Sequence, residues 1–111
     1  MFVGVDDVLD EAVADHVEAV RKVPVDPGEV VITPGSKPIM FFTIMALVNP
    51  GDEVIYPNPG FPIYESVINF VGGVPVPIPL REESGFQFDL DVFERRVSAK
   101  TKLIILNSPT N

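Results

Sequence analysis

The chain has no cysteine, a single histidine, and half as many basic side chains as acidic ones. The absence of cysteine excludes disulfide bonds and thiolate metal sites, and it fits the reducing cytoplasm, where we expect the protein to work. The formal net charge of −8 argues against the basic surface that a nucleic-acid partner needs. No apolar run approaches the ~20 residues that cross a bilayer, and the first residues lack the basic and long apolar stretches of a signal peptide. We therefore expect neither a nucleic-acid nor a membrane partner.

Apolar material for a core is abundant. Hydrophobic residues make up 46% of the 111 residues, with a mean hydropathy of +0.27, which predicts one domain over residues 1–111 without an internal boundary. The single histidine, His16, flanks the apolar stripe of a predicted helix, where a structural role outweighs a catalytic one. No second histidine or carboxylate cluster accompanies it, so no metal site is predicted.

Apolar spacing and turn residues divide the chain into alternating helices and extended segments. Three strand–helix pairs follow a first helix, and a strand ends the series, which predicts an α/β fold with a mostly parallel sheet and helices on both faces. The prolines in the third extended segment place it at a sheet edge, whereas the nearly all-apolar last strand is expected to be covered on both faces. The predicted bounds are helix 5–22, strand 29–33, helix 36–48, strand 53–57, helix 61–71, extended segment 74–80, helix 89–97 and strand 101–106.

The junction between the first predicted strand and its helix has the features of a phosphate site. The β-branched run stops at Thr33, Gly35 permits a sharp turn, and Ser36 suits the N-cap of the helix that follows. The unpaired N–H groups and positive dipole end of such a helix attract phosphate. Most strand–turn–helix junctions bind nothing, so this signal is weak by itself.

Three predicted loops follow the carboxyl ends of strands, where ligands bind in open α/β sheets. They are Thr33–Lys37, Pro57–Phe61 and Asn107–Asn111, and they supply a helix N-terminus, an aromatic ring and two asparagine amides. A phosphate site, a flat ring for stacking and a hydrogen-bonding amide suit a phosphorylated aromatic cofactor.

The same loops resemble those of the fold-type I, pyridoxal-phosphate-dependent aminotransferases of class I/II. Four strings match in register, and an opening helix string is similar to the family's as well. They are Val31–Lys37 (VITPGSK), Asn49–Val54 (NPGDEV), Asn58–Tyr64 (NPGFPIY) and Leu106–Asn111 (LNSPTN), preceded by Gly4–Leu9 (GVDDVL). The resemblance implies a three-layer αβα large domain that is incomplete in this chain.

The resemblance also implies roles for individual residues toward pyridoxal 5′-phosphate. Gly35, Ser36 and Lys37 would place backbone N–H groups on the phosphate, Phe61 would stack on the pyridine ring, and Asn111 would hydrogen-bond the phenolic oxygen. Aspartate aminotransferases usually place tryptophan at the stacking position, so phenylalanine puts a strictly aspartate-using enzyme in doubt. The alternative for Phe61 is ordinary core packing, and for Asn111 a frayed terminus.

Tyr64 is implied to lie near the cofactor ring. The family places the Schiff-base lysine, the acid on the pyridine nitrogen and the substrate-binding arginine further along the chain, so Lys37 is interpreted as a phosphate neighbour. We therefore expect no catalytic residue in this chain, and no activity from it alone. The parent would be a homodimer that transfers an amino group between an amino acid and a 2-oxo acid.

In the family's sheet, later strands lie between the segments at 29–33 and 102–106. Their absence here predicts open apolar surface, with poor solubility, dimerisation or local rearrangement. Two alternatives to the aminotransferase interpretation are open: a non-catalytic phosphate or nucleotide binder that uses the helix at Ser36, and an acidic interaction module without a ligand. Neither a Gly-x-Gly-x-x-Gly nor a Walker loop is present to favour the former.

Overall fold

The structure is a computed structural model that describes residues 7–107. Its contacts group into two compact units, Met1–Ile39 and Met40–Asn111, which are described separately below. The boundary lies inside helix α2, Ser36–Leu47. The prediction of one partial domain over residues 1–111 stays a prediction.

The first unit contains helix α1, Asp7–Arg21, and a short 3-10 helix, Pro27–Glu29, which is capped by Asp26. The predicted first helix is confirmed over its described part. The predicted strand at 29–33 is wrong, because its first residue ends the 3-10 helix and residues 30–33 form no strand. A β-branched run becomes a strand only when a neighbour supplies hydrogen bonds, and no strand within residues 7–107 pairs with this one.

The second unit alternates strands and helices along a parallel sheet. The three strands lie in the order β2-β1-β3 and are parallel throughout, which confirms the α/β class; two strand–helix pairs precede the last strand instead of the predicted three. The elements are β1 (Glu53–Asn58), α3 (Ile63–Phe70), β2 (Val74–Pro79), a 3-10 helix (Glu82–Ser84), α4 (Leu90–Arg96) and β3 (Thr101–Ile104).

The core of the second unit lies on both faces of β1, because successive side chains of a strand point to opposite sides. Val54 and Tyr56 face α3 and the C-terminal half of α2, whereas Ile55 faces α4. This arrangement confirms helices on both faces of the sheet. The first cluster comprises Ile44, Val48, Val54, Tyr56, Tyr64, Val67 and Ile68, and the second comprises Ile55, Val76 and Ile78, with Phe88, Val92 and Phe93 against it.

Local signals end and begin the helices of this unit as the sequence predicts. In the turn after α2, the Asn49 N–H donates to the Asp52 carboxylate at 2.9 Å. Before α4, the Asp89 carboxylate accepts from the N–H of Val92 at 2.9 Å, and the rings of Phe88 and Phe93 lie 5.6 Å apart across the cap. The Asp89–Val92 contact satisfies one of the N–H groups that the start of a helix leaves without an intrahelical acceptor.

The prolines of β2 occupy the positions at which a backbone N–H would point away from β1. The N–H of Val74 donates to the carbonyl of Asp52, just before β1, and the N–H of Leu80 donates to the carbonyl of Asn58 in β1. Because the backbone alternates, the N–H groups of residues 76 and 78 point toward β1 as well. The outward positions are Pro75, Pro77 and Pro79, which have no N–H. The predicted sheet edge is thereby confirmed, with a donor-free outer side.

The last strand is shorter and more exposed than predicted. It covers Thr101–Ile104 instead of 101–106, and Ile104 and Leu106 are exposed. The prediction that both of its faces are covered is wrong. Leu103 and Ile105 pack on the first core cluster, whereas α4 packs over β1 and β2 and leaves the opposite face of β3 open.

Apolar side chains are exposed elsewhere as well, including Val8 of α1, Ile32 before α2 and Phe42 of α2. The open apolar surface that the sequence predicts is therefore present, while poor solubility and dimerisation stay predictions. Across residues 7–107, none of the helices has the length and apolar character that a membrane crossing requires.

Candidate functional site

One predicted loop, Pro57–Phe61, and the first residue of another, Asn107, lie at one edge of the sheet. The strands β1 and β3 are parallel neighbours, so the loop that begins at Asn58 and the segment that reaches Asn107 both leave the sheet at its carboxyl edge. The N–H of Ile105 donates to the carbonyl of Ile55 at 2.8 Å and keeps the outgoing chain beside β1. Asn111 lies outside the described residues, and its contact with a cofactor stays a prediction.

The third predicted loop is a tight turn in the first unit. Gly35 has φ +99°, a left-handed conformation that glycine adopts without steric cost. Its N–H donates to the carbonyl of Thr33 at 2.8 Å, and the Thr33 hydroxyl donates to the carbonyl of Gly35 at 2.7 Å. Two short hydrogen bonds therefore fix the turn immediately before α2.

At the start of α2, the N–H groups of Ser36 and Lys37 are the candidate donors to an anion. Both residues are exposed and belong to the first turn, where N–H groups have no intrahelical acceptor. The Gly35 N–H, in contrast, is already bonded within the turn. Pro38 follows in the first turn, as predicted, where its missing N–H is harmless.

Phe61 is half-buried at the beginning of the chain segment that leads into α3. Its ring packs against the first core cluster and stands almost perpendicular to the ring of Tyr64, with centroids 5.8 Å apart and an interplanar angle of 82°. The Phe61 side chain is therefore partly packed against the core and partly exposed. Such a ring has the chemistry to stack on a planar aromatic ligand.

Tyr56 adds a third aromatic ring, which sequence reasoning missed. Its ring lies 6.0 Å from that of Tyr64, and both side chains are buried. Burial raises the pKa of Tyr64; burial, followed by the negative charge of Glu65, raises the pKa of Tyr56. The available signal was an aromatic residue at an inward position of β1, one residue before Pro57.

These two phenols predict a loss of stability in alkali. Their folded pKa values lie above the ordinary value of 10.0, so their contribution to folding is complete below about pH 10 and is lost as the pH rises through the folded values. We expect the free energy of unfolding to fall above pH 10, and to fall less steeply in a Tyr56→Phe/Tyr64→Phe double variant. Urea titrations from pH 8 to 11 measure this, and equal slopes for both proteins would contradict it.

Gly60 brings the loop backbone against the aromatic cluster. A Cβ at this position would lie 2.5 Å from the Pro57 carbonyl oxygen and 3.1 Å from a ring carbon of Tyr64. No larger residue fits there without moving backbone. The Asn58-Pro59-Gly60 string signals a turn, but only the folded chain shows which ring the glycine accommodates.

The remaining chemistry-bearing side chains of the described residues are dispersed. All four lysines (Lys22, Lys37, Lys100 and Lys102) are exposed, as is His16. Within residues 7–107, no group of three or more His, Cys, Asp or Glu side chains is arranged to hold a metal ion.

Comparison with known proteins gives one consistent set of relatives. A family model described as aminotransferase class I and II matches residues 3–111. A probable aspartate/prephenate aminotransferase of Aquifex aeolicus is 42% identical, over 93% of this chain and 26% of its own length. An aspartate aminotransferase of Sulfurisphaera tokodaii is 39% identical, over 97% of this chain and 27% of its own length.

Solved structures of aminotransferases are also similar to this chain. A single mutant of Thermus thermophilus aspartate aminotransferase has a TM-score of 0.77 at 34% identity, over 93% of this chain and 27% of that one. An alanine aminotransferase of Pyrococcus furiosus has a TM-score of 0.74 at 30% identity, over 92% and 27%. The chain spans about a quarter of the length of the curated relatives it matches.

Proposed function

Because the chain belongs to the class I and II aminotransferase family, we propose that it forms part of the cofactor-binding domain of a pyridoxal-phosphate-dependent aminotransferase. The observation that supports this most directly is the tight turn at Gly35, which leads straight into the exposed first turn of α2. The N-terminus of a helix is an anion-binding position that suits a phosphate group. The half-buried ring of Phe61 supplies the second type of contact, toward a planar aromatic ring.

Each proposed site residue has a separate role. The N–H groups of Ser36 and Lys37 bind the phosphate, and Gly35 shapes the turn that presents them. Phe61 stacks on the pyridine ring. Asn111 would accept or donate a hydrogen bond at the phenolic oxygen, as the family resemblance implies.

Pyridoxal 5′-phosphate, when bound, supplies an electron sink for the electron pair that remains at Cα of an amino acid when the Cα proton is removed. The residues of this chain bind and orient it; the Schiff-base lysine is proposed to come from elsewhere in the protein. In support, Lys37 is exposed at a helix start and is followed by Pro38, a position suited to an anion neighbour. The chain alone is then expected to bind without catalysing transfer.

The proposal extends to substrates, assembly and compartment. An amino acid and a 2-oxo acid are the substrates of the parent enzyme, since relatives over this region are named as aspartate, aspartate/prephenate and diaminopimelate aminotransferases. A homodimeric parent agrees with the exposed apolar residues of the described chain. A cytoplasmic location agrees with the absence of cysteine.

The stacking role predicts that Phe61→Leu weakens the binding of pyridoxine 5′-phosphate about 3- to 10-fold, the loss expected when an aromatic pair becomes an aliphatic contact. This probe keeps the ring and the phosphate but has no aldehyde, so it does not condense with exposed lysines. Binding is measured by isothermal titration calorimetry on the 111-residue chain. Affinity for inorganic phosphate should be unchanged.

Phe70→Leu provides a matched control, because Phe70 is 75% exposed at the end of α3. It should bind pyridoxine 5′-phosphate as the unmodified chain does. The proposal is contradicted if the unmodified chain binds this probe no more tightly than inorganic phosphate, or if Phe61→Leu has no effect on it.

A further inference from the structure

Tyr64 contacts the loop that carries Phe61 in two ways. Its ring stands at 82° to the Phe61 ring with a centroid separation of 5.8 Å, a favourable edge-to-face arrangement. Its backbone N–H donates to the Phe61 carbonyl at 3.1 Å. Tyr64 therefore contacts the Phe61 ring through its side chain and the Phe61 carbonyl through its main chain.

Tyr64 is itself held in place. It is 2% exposed and lies in the first turn of α3, and its ring meets that of Tyr56 on β1 at 6.0 Å. A ring enclosed by a strand and its own helix has few alternative rotamers. It provides a rigid surface for whatever packs against it.

The backbone before Phe61 passes close to the same ring. A Cβ on Gly60 would lie 3.1 Å and 3.4 Å from two ring carbons of Tyr64 and 2.5 Å from the Pro57 carbonyl oxygen, so the present loop path has room only for glycine. Gly60 and Phe61 therefore both lie against the Tyr64 ring.

We infer that Tyr64 is a positioning residue, which holds the Phe61 ring in one orientation and keeps at least one of its faces available to a planar aromatic ligand. A perpendicular ring contact covers no more than one face of Phe61, so Tyr64 does not close the other. The consequence for pyridoxal 5′-phosphate rests on the proposed function; the fixed ring orientation does not. Preorganisation of this kind strengthens binding because less side-chain freedom is lost when the ligand arrives.

The test uses the 111-residue chain and combines a measurement without ligand with one that uses a probe. In the unliganded chain, proton NMR should show nuclear Overhauser effects between the rings of Phe61 and Tyr64, retained in Tyr64→Phe and lost in Tyr64→Leu. With pyridoxine 5′-phosphate, Tyr64→Leu should bind about 3- to 10-fold more weakly, and Tyr64→Phe should restore the affinity. Inorganic phosphate should bind equally to all three.

A control separates positioning from a general loss of packing. Ile68→Val removes a methylene from a fully buried residue one turn further along the same helix, so it lowers stability while the rings of Phe61 and Tyr64 stay intact, and it should leave probe binding unchanged. Should Tyr64→Leu fail to fold, the ring-to-ring effects in the unmodified chain and in Tyr64→Phe still decide the inference. Their absence from the folded, unmodified chain overturns it.

The possible outcomes separate the two proposals. Tight binding of pyridoxine 5′-phosphate by a folded Tyr64→Leu variant overturns the positioning role and leaves the proposed function intact. Failure of the unmodified chain to prefer the probe over inorganic phosphate overturns the proposed function, while the ring-to-ring effects continue to test Tyr64.

Discussion

A Gly60→Ala variant should unfold at markedly lower denaturant than the unmodified chain, with a loss of about 2–3 kcal/mol in the free energy of unfolding, as in overpacked cores. The added Cβ would lie 2.5 Å from the Pro57 carbonyl oxygen. That oxygen is backbone at the end of β1, so relief requires the chain itself to move. Because the moving segment carries Phe61, the binding of pyridoxine 5′-phosphate should weaken at least as much as it does in Phe61→Leu.

Gly28→Ala is the matched control for this substitution. Its Cβ would meet the Asp26 carboxylate oxygen at 3.1 Å, a side-chain atom that can shift slightly and still accept from the N–H of residue 28, so we expect a loss of less than about 1 kcal/mol. Urea unfolding followed by circular dichroism measures both variants. Equal losses at positions 28 and 60 would show that the Gly60 contact does not constrain the loop.

The second large effect is expected from Ile68→Ala, with a loss of about 3–4 kcal/mol. Ile68 is fully buried in the cluster that joins α3 to β1 and to the end of α2. Its truncation leaves a cavity beside Gly73, which lies against the Ile68 side chain and has no side chain of its own to fill the space. For a domain with a total stability of roughly 5–15 kcal/mol, this is a substantial fraction.

Phe70→Ala serves as the comparison within the same helix. More carbon atoms are removed there, but the side chain is 75% exposed, so we expect a change within about 0.5 kcal/mol. Guanidinium titration of both variants gives the two values. A loss at Phe70 as large as that at Ile68 would contradict the assignment of the core to the sheet-facing side of α3.

Elements bounded by short-range contacts are predictable from the sequence. The turn after α2 is closed by hydrogen bonds between Asn49 and Asp52, and α4 begins where Asp89 caps Val92. Both contacts span three residues, so the amino-acid order contains all of their partners. The parallel sheet and its proline-rich edge strand follow from the same local evidence.

The failures lie where the partner is distant or absent. The run Val30–Ile32 has the composition of a strand, yet strand pairing depends on a neighbour that local sequence does not reveal. The exposed face of β3 was not predicted for a related reason, since its nearly all-apolar sequence does not show where α4 packs.

The candidate site was predictable as residue types but not as contacts. The strings around Gly35 and Phe61 indicate a phosphate turn and a stacking ring. They do not show that the Gly35 N–H is bonded to Thr33, or that Tyr64 determines how Phe61 is oriented. Whether the two segments converge on one ligand stays a prediction, and so does the contribution of Asn111.

The prolines of β2 have a consequence for how copies of this sheet can join. An outer side without N–H donors cannot template a further strand, so a newcomer can extend the ladder only beside β3, with which no second strand pairs within residues 7–107. Each molecule then has one sheet edge that can pair, so two molecules that pair through these edges have no further edge for a third. Edge-to-edge joining of these sheets therefore stops at a pair and does not propagate into fibrils.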